Sequence, residues 1–283
     1  MHDPRVPETL EGWSVLHQMF RVKWPVWQEL SQTERRARAS DTVRALAEMY
    51  RGEGGSTAIT TLLGHRGDLM LIHFRRSFED LEAAQLRIAR LGIAPFLEAT
   101  TSYVSVVELG MYEMTAQIHE RLGEKGLAAG SPDFEKAFDA EMDEQRRRVL
   151  PRLFQEIPPR RFVCFYPMNK RRGESRNWYA VPVEERARMM RDHGVIGRHY
   201  AGQVTQIISG SIGFDDWEWG VDLFADDPVV FKKLIYEMRF DEASAWYAEF
   251  GPFYVGLQFS PAEISRFLEG EVPAFRARPT TGD

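Results

Sequence analysis

A tyrosine, a methionine and a lysine occupy alternate positions in the stretch VCFYPMNKRRG, which begins at Val163. Successive side chains of a β-strand point to opposite faces, so Cys164, Tyr166, Met168 and Lys170 should share one face. A strand face that packs on a core is normally apolar, whereas this one carries a phenol, a thioether and an ammonium group. We therefore interpret it as a candidate ligand-facing surface, with Cys164 as a packing residue.

A histidine follows two methionines in the segment MMRDHG. Gly194 comes directly after His193 and is a plausible C′ residue, so we predict that a helix ends there. One interpretation of His193 is a helix-end histidine that the helix dipole favours. The other is a single axial ligand of a large planar cofactor, with Met189 or Met190 lining the pocket. The remaining six histidines have none of the usual zinc spacings, and we interpret them as structural or exposed, with His199 in a loop.

A glutamine lies among apolar residues in VTQIISG. Alternation places Gln206 with Val204 and Ile208 on one face of a predicted strand. A buried amide that lacks hydrogen-bond partners costs about 1–3 kcal/mol. Gln206 should therefore find partners at the end of the sheet or at an interface, or donate to a bound ligand.

Basic side chains surround these stretches. The run KRRGESR, from Lys170 to Arg176, is either a solvated loop or a gate that attracts an anionic substrate. Arg152 precedes the tyrosine strand, and Arg239 follows a predicted helix together with Ser244. Guanidinium groups bind carboxylates bidentately, so these residues would suit a ligand with several negative charges.

Composition restricts the class of protein. The 283 residues carry a formal net charge of -6, which argues against general nucleic-acid binding. The single cysteine excludes an internal disulfide and a cysteine-rich metal site, as is typical of a reducing cytoplasm. The N-terminus has no apolar core of a secretory signal, and no apolar run is long enough for a membrane span. We predict a soluble, cytoplasmic protein.

An internal repeat indicates which elements hold these residues. DLMLIHFRRSFEDLEAAQLRIARLG and DWEWGVDLFADDPVVFKKLIYEMRF both read as strand, cap and helix, with Ser77 and Asp227 as predicted N-caps. The similarity continues on both sides at an offset of about 150 positions. It places Leu16 or His17 opposite Tyr166, and Met19 opposite Met168 to within one position. A predicted helix over about 32–49 matches EERARMMRDHG.

Each half therefore reads strand–helix–strand–strand–helix–strand, the ferredoxin-like order. We predict an α+β protein with two ferredoxin-like domains in tandem, of the dimeric α+β barrel type. The predicted segments are a first domain over 8–125, a helical linker over 126–158, a second domain over 159–270 and a disordered tail over 271–283. The unusual polar residues are concentrated in the second domain.

Four long segments carry a family resemblance: FYPMNKRRGESRNWY, RMMRDHGVIGRHYAG, VTQIISGSIGFDDWEWGVDLFADDP and KKLIYEMRFDEASA. They resemble the chlorite-dismutase-like superfamily and, within it, the coproheme decarboxylases. The resemblance is dense from about Arg152 to Gly256 and mostly architectural before that. It implies a porphyrin site in the second domain alone and assembly as a homopentamer.

The resemblance also implies roles for the polar residues around a porphyrin. His193 matches the proximal ligand of the iron in iron coproporphyrin III (coproheme) or haem b. Tyr166 matches the tyrosine that forms a radical and attacks a propionate, and Lys170 matches the lysine that assists the second decarboxylation. Met168 matches a residue of the pocket wall, and Gln206 matches the distal glutamine that replaces the arginine of chlorite dismutases.

The remaining matches concern the rim of the site. Arg152, Arg239 and Ser244 match positions that contact propionates. Arg198 matches a residue near the pocket entrance. No histidine clearly fits the distal base described for the actinobacterial branch, so the tyrosine–glutamine branch fits better. The sequence departs from the family pattern at Asn169, where serine is frequent, and at Arg160 and Arg161, which replace a more acidic and aromatic pair.

The implied activity is a hydrogen-peroxide-dependent oxidation within coproporphyrin-dependent haem biosynthesis. Two propionates of coproheme become vinyl groups and give haem b, so the iron porphyrin is both cofactor and substrate. A transient contact with coproporphyrin ferrochelatase is also implied. The alternatives are a chlorite dismutase or haem peroxidase on the same scaffold, and a haem carrier or sensor without catalysis.

Overall fold

A computed structural model describes residue 6 and residues 8–52 and 54–275. Within these residues the first half of the chain contains β1 (Thr9–Val22), α1 (Trp24–Glu29), α2 (Gln32–Tyr50), β2 (Arg51–Gly52), β3 (Gly55–Thr61), β4 (Leu69–Arg75), α3 (Phe78–Ile88), β5 (Leu97–Gly110), α4 (Tyr112–Glu124) and α5 (Pro132–Leu153). The second half contains β6 (Phe162–Lys170), α6 (Val183–His199), β7 (Val204–Gly210), β8 (Trp219–Ala225), α7 (Val229–Met238), α8 (Glu242–Tyr247), β9 (Ala248–Phe250), β10 (Tyr254–Phe259) and α9 (Ile264–Leu268).

The two halves form one closed antiparallel sheet. The strand order is β3-β4-β1-β5 in the first half and β7-β8-β6-β10 in the second, which is the same ferredoxin-like order twice. Pairing of β5 with β7 and of β10 with β3 joins the halves at two seams. The predicted α+β fold with two tandem ferredoxin-like units is therefore confirmed, and closure turns the two sheets into one barrel.

The helix starts follow from local capping. Ser31 and Glu34 form a complete capping box at the start of α2, which agrees with the predicted helix over about 32–49. Ser77 accepts the backbone N–H of Asp80 at the start of α3, as predicted. The Asp227 carboxylate accepts the N–H of Val229 at 2.9 Å, although the helix itself begins after Pro228.

The register of the sheet corrects the alignment of the two halves. Val15 pairs with Phe74, and Val163 pairs with Phe224, so Val15 corresponds to Val163. Counting along the strands from this pair, the counterpart of Tyr166 is Gln18 rather than Leu16 or His17. The counterpart of Met168 is Phe20, so Met19 matches it only to within the predicted one position, and Met19 packs inside the barrel whereas Met168 packs outside it. Alignment by residue similarity is one residue out of register, and a shift of one residue exchanges the inward-pointing and outward-pointing side chains of a strand.

The core has three main parts. The barrel interior is filled by apolar side chains from both halves, including Val15, Met19, Val163 and Phe165. The outer face of the first half packs against α2 and α3. The outer face of the second half packs against α6 and α7, and this is the face that carries Tyr166 and Met168. The face of β6 that carries Tyr166 and Met168 therefore packs against α6 and α7, on the side of the sheet away from the barrel interior.

The last part of the chain lies partly outside the described residues. Pro273 accepts a hydrogen bond from the Arg161 guanidinium at 2.8 Å, and Glu263 accepts the N–H of Ala274 at 2.9 Å. Residues 271–275 are thus held against the second half. The remainder of the predicted disordered tail, 276–283, is outside the described part of the chain.

A buried polar pair crosses the barrel interior. His17 Nε2 lies 2.9 Å from Asp222 Oδ1, both side chains are buried, and the imidazole stacks on Phe165 at 3.9 Å between ring centroids. The pair joins a strand of each half. This contact agrees with the interpretation of His17 as a structural histidine.

Removal of His17 should destabilise the protein strongly. His17→Ala leaves the Asp222 carboxylate buried without its partner, and we expect the free energy of unfolding to fall by about 3–5 kcal/mol. Urea denaturation followed by circular dichroism measures this change. The control is the double variant His17→Phe/Asp222→Leu, which removes both polar groups and should recover most of the loss. A decrease below about 1 kcal/mol for His17→Ala would contradict the prediction.

Candidate functional site

The outer face of the second half forms a regular grid of side chains. Cross-strand register aligns Met168 with Trp219 and Gly210, Tyr166 with Val221 and Ile208, and Cys164 with Leu223 and Gln206. Cys164, Tyr166 and Met168 pack into one cluster with residues of α6 and α7. The predicted alternation along β6 is thus confirmed.

The helix that carries His193 is longer than predicted. It runs from Val183 through Gly194 to His199, and Tyr200 is its C-cap. Gly194 does not have the positive φ of a C′ glycine, whereas Gly202, after the helix, has φ of 80°. The prediction of a helix end at Gly194 is therefore wrong, and so is that of a loop at His199. Because His193 lies inside the helix, a helix-end dipole does not explain it.

The His193 ring is oriented by two side chains from the start of α8. Its Nδ1 lies 3.0 Å from Asp241 Oδ2 and 3.4 Å from Ser244 Oγ. The other Asp241 oxygen accepts the N–H of Ser244 at 2.9 Å, which caps α8. Burial opposes ionisation of Asp241, but the hydrogen bonds and charge of His193, with those of Ser244, keep the pKa of this carboxyl below its usual range.

This arrangement suits a histidine that binds a metal. A carboxylate at Nδ1 favours the tautomer with the proton on Nδ1 and leaves the lone pair of Nε2 available. The His193 side chain keeps 25% of its surface exposed, so the ring is not fully enclosed by protein. No group of three or more His, Cys, Asp or Glu side chains in the described ranges is placed to hold an ion alone. An ion at His193 would therefore need ligands from a bound molecule.

Tyr166 is buried in an aromatic environment. Its ring centroid lies 4.7 Å from that of Phe253 and 5.7 Å from that of Phe250, and the Arg239 guanidinium lies 4.7 Å from the Phe250 centroid. Burial raises the pKa of Tyr166 well above its usual range; the Cys164 thiol adds to this effect, whereas Arg239 opposes it. The phenol therefore stays protonated at neutral pH and can give up a hydrogen atom, but it is not a phenolate base.

Lys170 is turned toward α8. Its Nζ lies 3.4 Å from the carbonyl oxygen of Ala243 and 4.3 Å from the centroid of a Trp178 ring. Its backbone N–H donates to Glu218 at 2.8 Å. Burial lowers the pKa of the Lys170 ammonium to about 8, although the carboxylates of Asp241 and Glu218 act against this change. Near neutral pH this amine can both donate and accept a proton.

The lowered pKa of Lys170 predicts a pH dependence. The unfolded chain binds this proton up to the ordinary pKa of 10.5, whereas the folded protein releases it at about 8. The contribution of Lys170 to stability is therefore unfavourable below about pH 8 and is relieved as the pH rises toward 10.5. Competitive acetylation with mass spectrometry should give half-maximal reactivity of Lys170 at about pH 8. In Lys170→Met the rise in stability over this pH range should shrink. Half-maximal acetylation near 10.5 would contradict the assignment.

The other predicted site residues differ in how exposed they are. Arg152 is exposed in the last turn of α5, and Arg198 is exposed in the last turn of α6. Gln206 is on the same outer face as Tyr166 and is half-buried, and its predicted role as a donor to a bound ligand stays a prediction. Cys164 is buried, and burial raises the pKa of its thiol to about 12, which agrees with a packing role.

The basic loop after β6 is partly tied down by contacts. Arg172 Nε lies 3.5 Å from Glu218, and the Arg176 guanidinium lies 4.2 Å from the centroid of a Trp246 ring. A surface cavity of 360 Å³ borders the loop at Arg172, Asn177 and Tyr179. Arg160 and Arg161, which depart from the family pattern, bind Asp226 and the C-terminal segment respectively. Both arginines are thus explained by structural contacts.

Sequence reasoning missed the carboxylate that orients His193. Asp241 and His193 are 48 positions apart, so no local periodicity connects them. The available signal was DEAS, in which an aspartate at the N-cap precedes a short helix. Trp178, Phe250 and Phe253 were missed in the same way, because only the tertiary fold brings them to Lys170 and Tyr166.

Comparison with known families decides the classification. Residues 35–259 match the family model of chlorite dismutase. The chain belongs to the chlorite dismutase family. Within the described ranges, the helices are too short or too polar to cross a membrane.

Relatives of this family member are named for haem binding. A protein of Natronomonas pharaonis named as haem-binding is 42% identical over 268 residues, which are 94% of this chain and 42% of that protein. One of Halobacterium salinarum, also named as haem-binding, is 42% identical over 275 residues, covering 95% of this chain and 52% of the relative. The chain thus spans about half the length of the curated relatives that it matches.

Solved structures agree on the fold. A structure described as a novel haem-binding protein from Thermus thermophilus superposes with a TM-score of 0.79 at 41% identity, over 95% of this chain and 100% of that one. A mutant chlorite dismutase from Candidatus Nitrospira defluvii superposes with a TM-score of 0.68 at 19% identity, over 92% and 96% of the two chains. The second comparison shows a common fold.

Proposed function

We propose that this protein is a hydrogen-peroxide-dependent coproheme decarboxylase that converts two propionates of iron coproporphyrin III into vinyl groups. The observation that carries the proposal is that α6, which carries a carboxylate-oriented histidine, packs on the sheet face that carries a protonated tyrosine of β6. Haem binding by relatives at 41–42% identity supports the choice of a porphyrin.

The donor set fits an iron porphyrin. His193 would bind the iron through Nε2, since Asp241 holds Nδ1. Met168 would line the pocket, Arg239, Ser244 and Arg152 would contact carboxylates, and Arg198 would lie near the pocket entrance, as the family resemblance implies. When bound, the porphyrin supplies both the redox chemistry with peroxide and the propionates that react.

Tyr166 acts as the hydrogen-atom acceptor in the proposed reaction. After losing one electron and one proton, its oxygen takes a hydrogen atom from the β-carbon of a propionate and the phenol is restored. Loss of a second electron from the substrate breaks the bond to the carboxylate, releases carbon dioxide and forms the vinyl double bond. For each propionate the balance is one hydrogen peroxide and one proton consumed, with one carbon dioxide and two water molecules produced.

Lys170 would assist by holding a carboxylate or supplying a proton. Its amine lies on the α8 side of the site, and a pKa of about 8 lets it change protonation state near neutral pH. This position is consistent with a helper of the second decarboxylation. The cytoplasmic location, the homopentamer and a transient contact with coproporphyrin ferrochelatase belong to the same proposal.

Gln206 argues against chlorite as the substrate. It lies on the outer face in line with Cys164 and Leu223, and its neutral amide can organise peroxide or water. It lacks the fixed positive charge with which an arginine would stabilise a departing hypochlorite. Oxygen release from chlorite at high turnover would instead support the alternative of a chlorite dismutase.

One assay separates these functions. The protein is loaded with iron coproporphyrin, hydrogen peroxide is titrated in, and mass spectrometry follows the porphyrin. Stepwise loss of two carboxyl groups supports the proposal. Recovery of unchanged coproheme would contradict it and favour a haem-binding protein without catalysis, the second function that the relatives' names support.

A further inference from the structure

A side chain of the first half crosses into the second half beside one seam. The seam between β5 and β7 has only two residue pairs, Val106 with Gly210 and Val107 with Ser209. Next to it, the Glu108 carboxylate of β5 reaches over β7. Its Oε1 accepts the indole N–H of Trp219 on β8 at 2.7 Å. This hydrogen bond connects the half without candidate reactive residues to the half that contains them.

The path of Glu108 depends on a glycine. A Cβ at Gly210 would lie 2.0 Å from Glu108 Oε2 and 2.5 Å from its Cδ, which no side chain could accommodate without displacing the carboxylate. Burial raises the pKa of Glu108, and the hydrogen bond from Trp219 acts in the opposite direction. The carboxylate is therefore held in a partly desolvated position, where its hydrogen bond with the indole is stronger than it would be in water.

Trp219 belongs to the outer face. It begins β8, on which Val221 and Leu223 pack in the outer cluster, and alternation gives Trp219 the same direction. Its partner in register is Met168, one row from Tyr166. The indole therefore lies beside Met168 at the edge of the candidate porphyrin site.

We propose that Glu108 is a positioning residue, which fixes the Trp219 indole as a wall of the porphyrin site and so gives the first half a part in ligand binding. The identity of the ligand rests on the proposed function, whereas the contact itself does not. An indole whose N–H has lost its acceptor can adopt other rotamers, and a wall that moves binds a rigid planar ligand less tightly.

The contact can be tested without ligand. In protein labelled with ¹⁵N-tryptophan, the chain gives one indole resonance for each of its seven tryptophans, and Trp219→Phe assigns the one of interest. Glu108→Leu should shift this resonance, because the N–H loses its acceptor. Glu108→Gln, which keeps an acceptor oxygen, should shift it less. An unchanged resonance in Glu108→Leu would overturn the proposal.

Ligand binding tests the consequence. In Soret titrations with iron coproporphyrin, Glu108→Leu should weaken binding about tenfold, and in a Trp219→Phe background it should have little further effect. Glu108→Gln should stay within about threefold of the unchanged protein. The matched control is Glu98→Leu, which removes an exposed carboxylate from the same strand. If Glu108→Leu does not fold, Trp219→Phe should show the same loss, with no further effect of Glu108→Gln.

The outcomes distinguish the two proposals. Weaker binding by Glu108→Leu that disappears in the Trp219→Phe background supports a positioning role. Unchanged binding by Glu108→Leu overturns this inference and leaves the proposed function standing. If the protein without substitutions does not bind iron coproporphyrin, both the proposed function and the role of Glu108 in ligand binding are overturned. The indole resonance then still reports whether the hydrogen bond from Trp219 to Glu108 exists.

Discussion

Tyr166→Phe is expected to lower decarboxylation by at least about a hundredfold while iron coproporphyrin still binds. The substitution removes only the hydroxyl, and the ring can keep its contacts with Phe250 and Phe253. Phenylalanine has no O–H from which an electron and a proton can leave together. Mass spectrometry of the porphyrin after addition of peroxide measures the reaction, and a Soret titration measures binding.

The control for this experiment is a tyrosine away from the site. Tyr236 lies on α7 with 64% of its surface exposed, so Tyr236→Phe removes a hydroxyl without disturbing the core. It should leave the rate within about twofold of the unchanged protein. Normal turnover by Tyr166→Phe would refute the radical role. Loss of binding together with loss of activity would show that the hydroxyl serves the binding of substrate instead.

His193→Ala is expected to change the Soret band and to weaken binding of iron coproporphyrin by about 10- to 100-fold. The reason is loss of the imidazole on α6, the helix that packs on the sheet face of Tyr166, whose Nδ1 is held by the buried Asp241 carboxylate. Asp241→Ala should produce a smaller change of the same kind, because the imidazole would remain but lose its fixed orientation.

A second histidine of the same helix provides the control. His199 is exposed and lies 3.3 Å from Glu237, so His199→Ala alters a surface contact only. Its Soret band and affinity should match those of the unchanged protein. Identical spectra for His193→Ala and the unchanged protein would exclude His193 as the iron ligand, even if decarboxylation were observed.

Periodic features of the fold and site could be predicted from the sequence. Alternation along β6 placed Tyr166 and Met168 together, and the repeat gave the order of strands and helices in both halves. These features depend on residues close together in the chain, whose spacing is set by the geometry of the element. Register was harder: the repeat placed Met19 opposite Met168 only to within one position, and pairing with β4 and β8 shows that the counterpart of Met168 is Phe20, so the two methionines point to opposite sides of the sheet.

Contacts between distant residues could not be predicted in this way. The helix continues past Gly194, which does not adopt the positive φ of a C′ residue, although glycine is a common stop signal. The bond from His193 to Asp241 and the bond from Trp219 to Glu108 connect separate elements, and neither partner is unusual by itself. Such pairs become visible only when the sheet has closed and the helices have packed on it.

The closed sheet has a consequence for how this chain could have arisen and how it can be dissected. Each half alone would expose two strand edges, those of β3 and β5 or those of β7 and β10. Unprotected edges recruit other strands, so an isolated second half would self-associate in spite of carrying every candidate reactive side chain. Two identical copies could satisfy each other's edges, which is the geometry of an ancestral homodimer before gene fusion. On this view the first half was retained because it completes the sheet. Its outer face was not needed for this role, so a ligand site there could be lost.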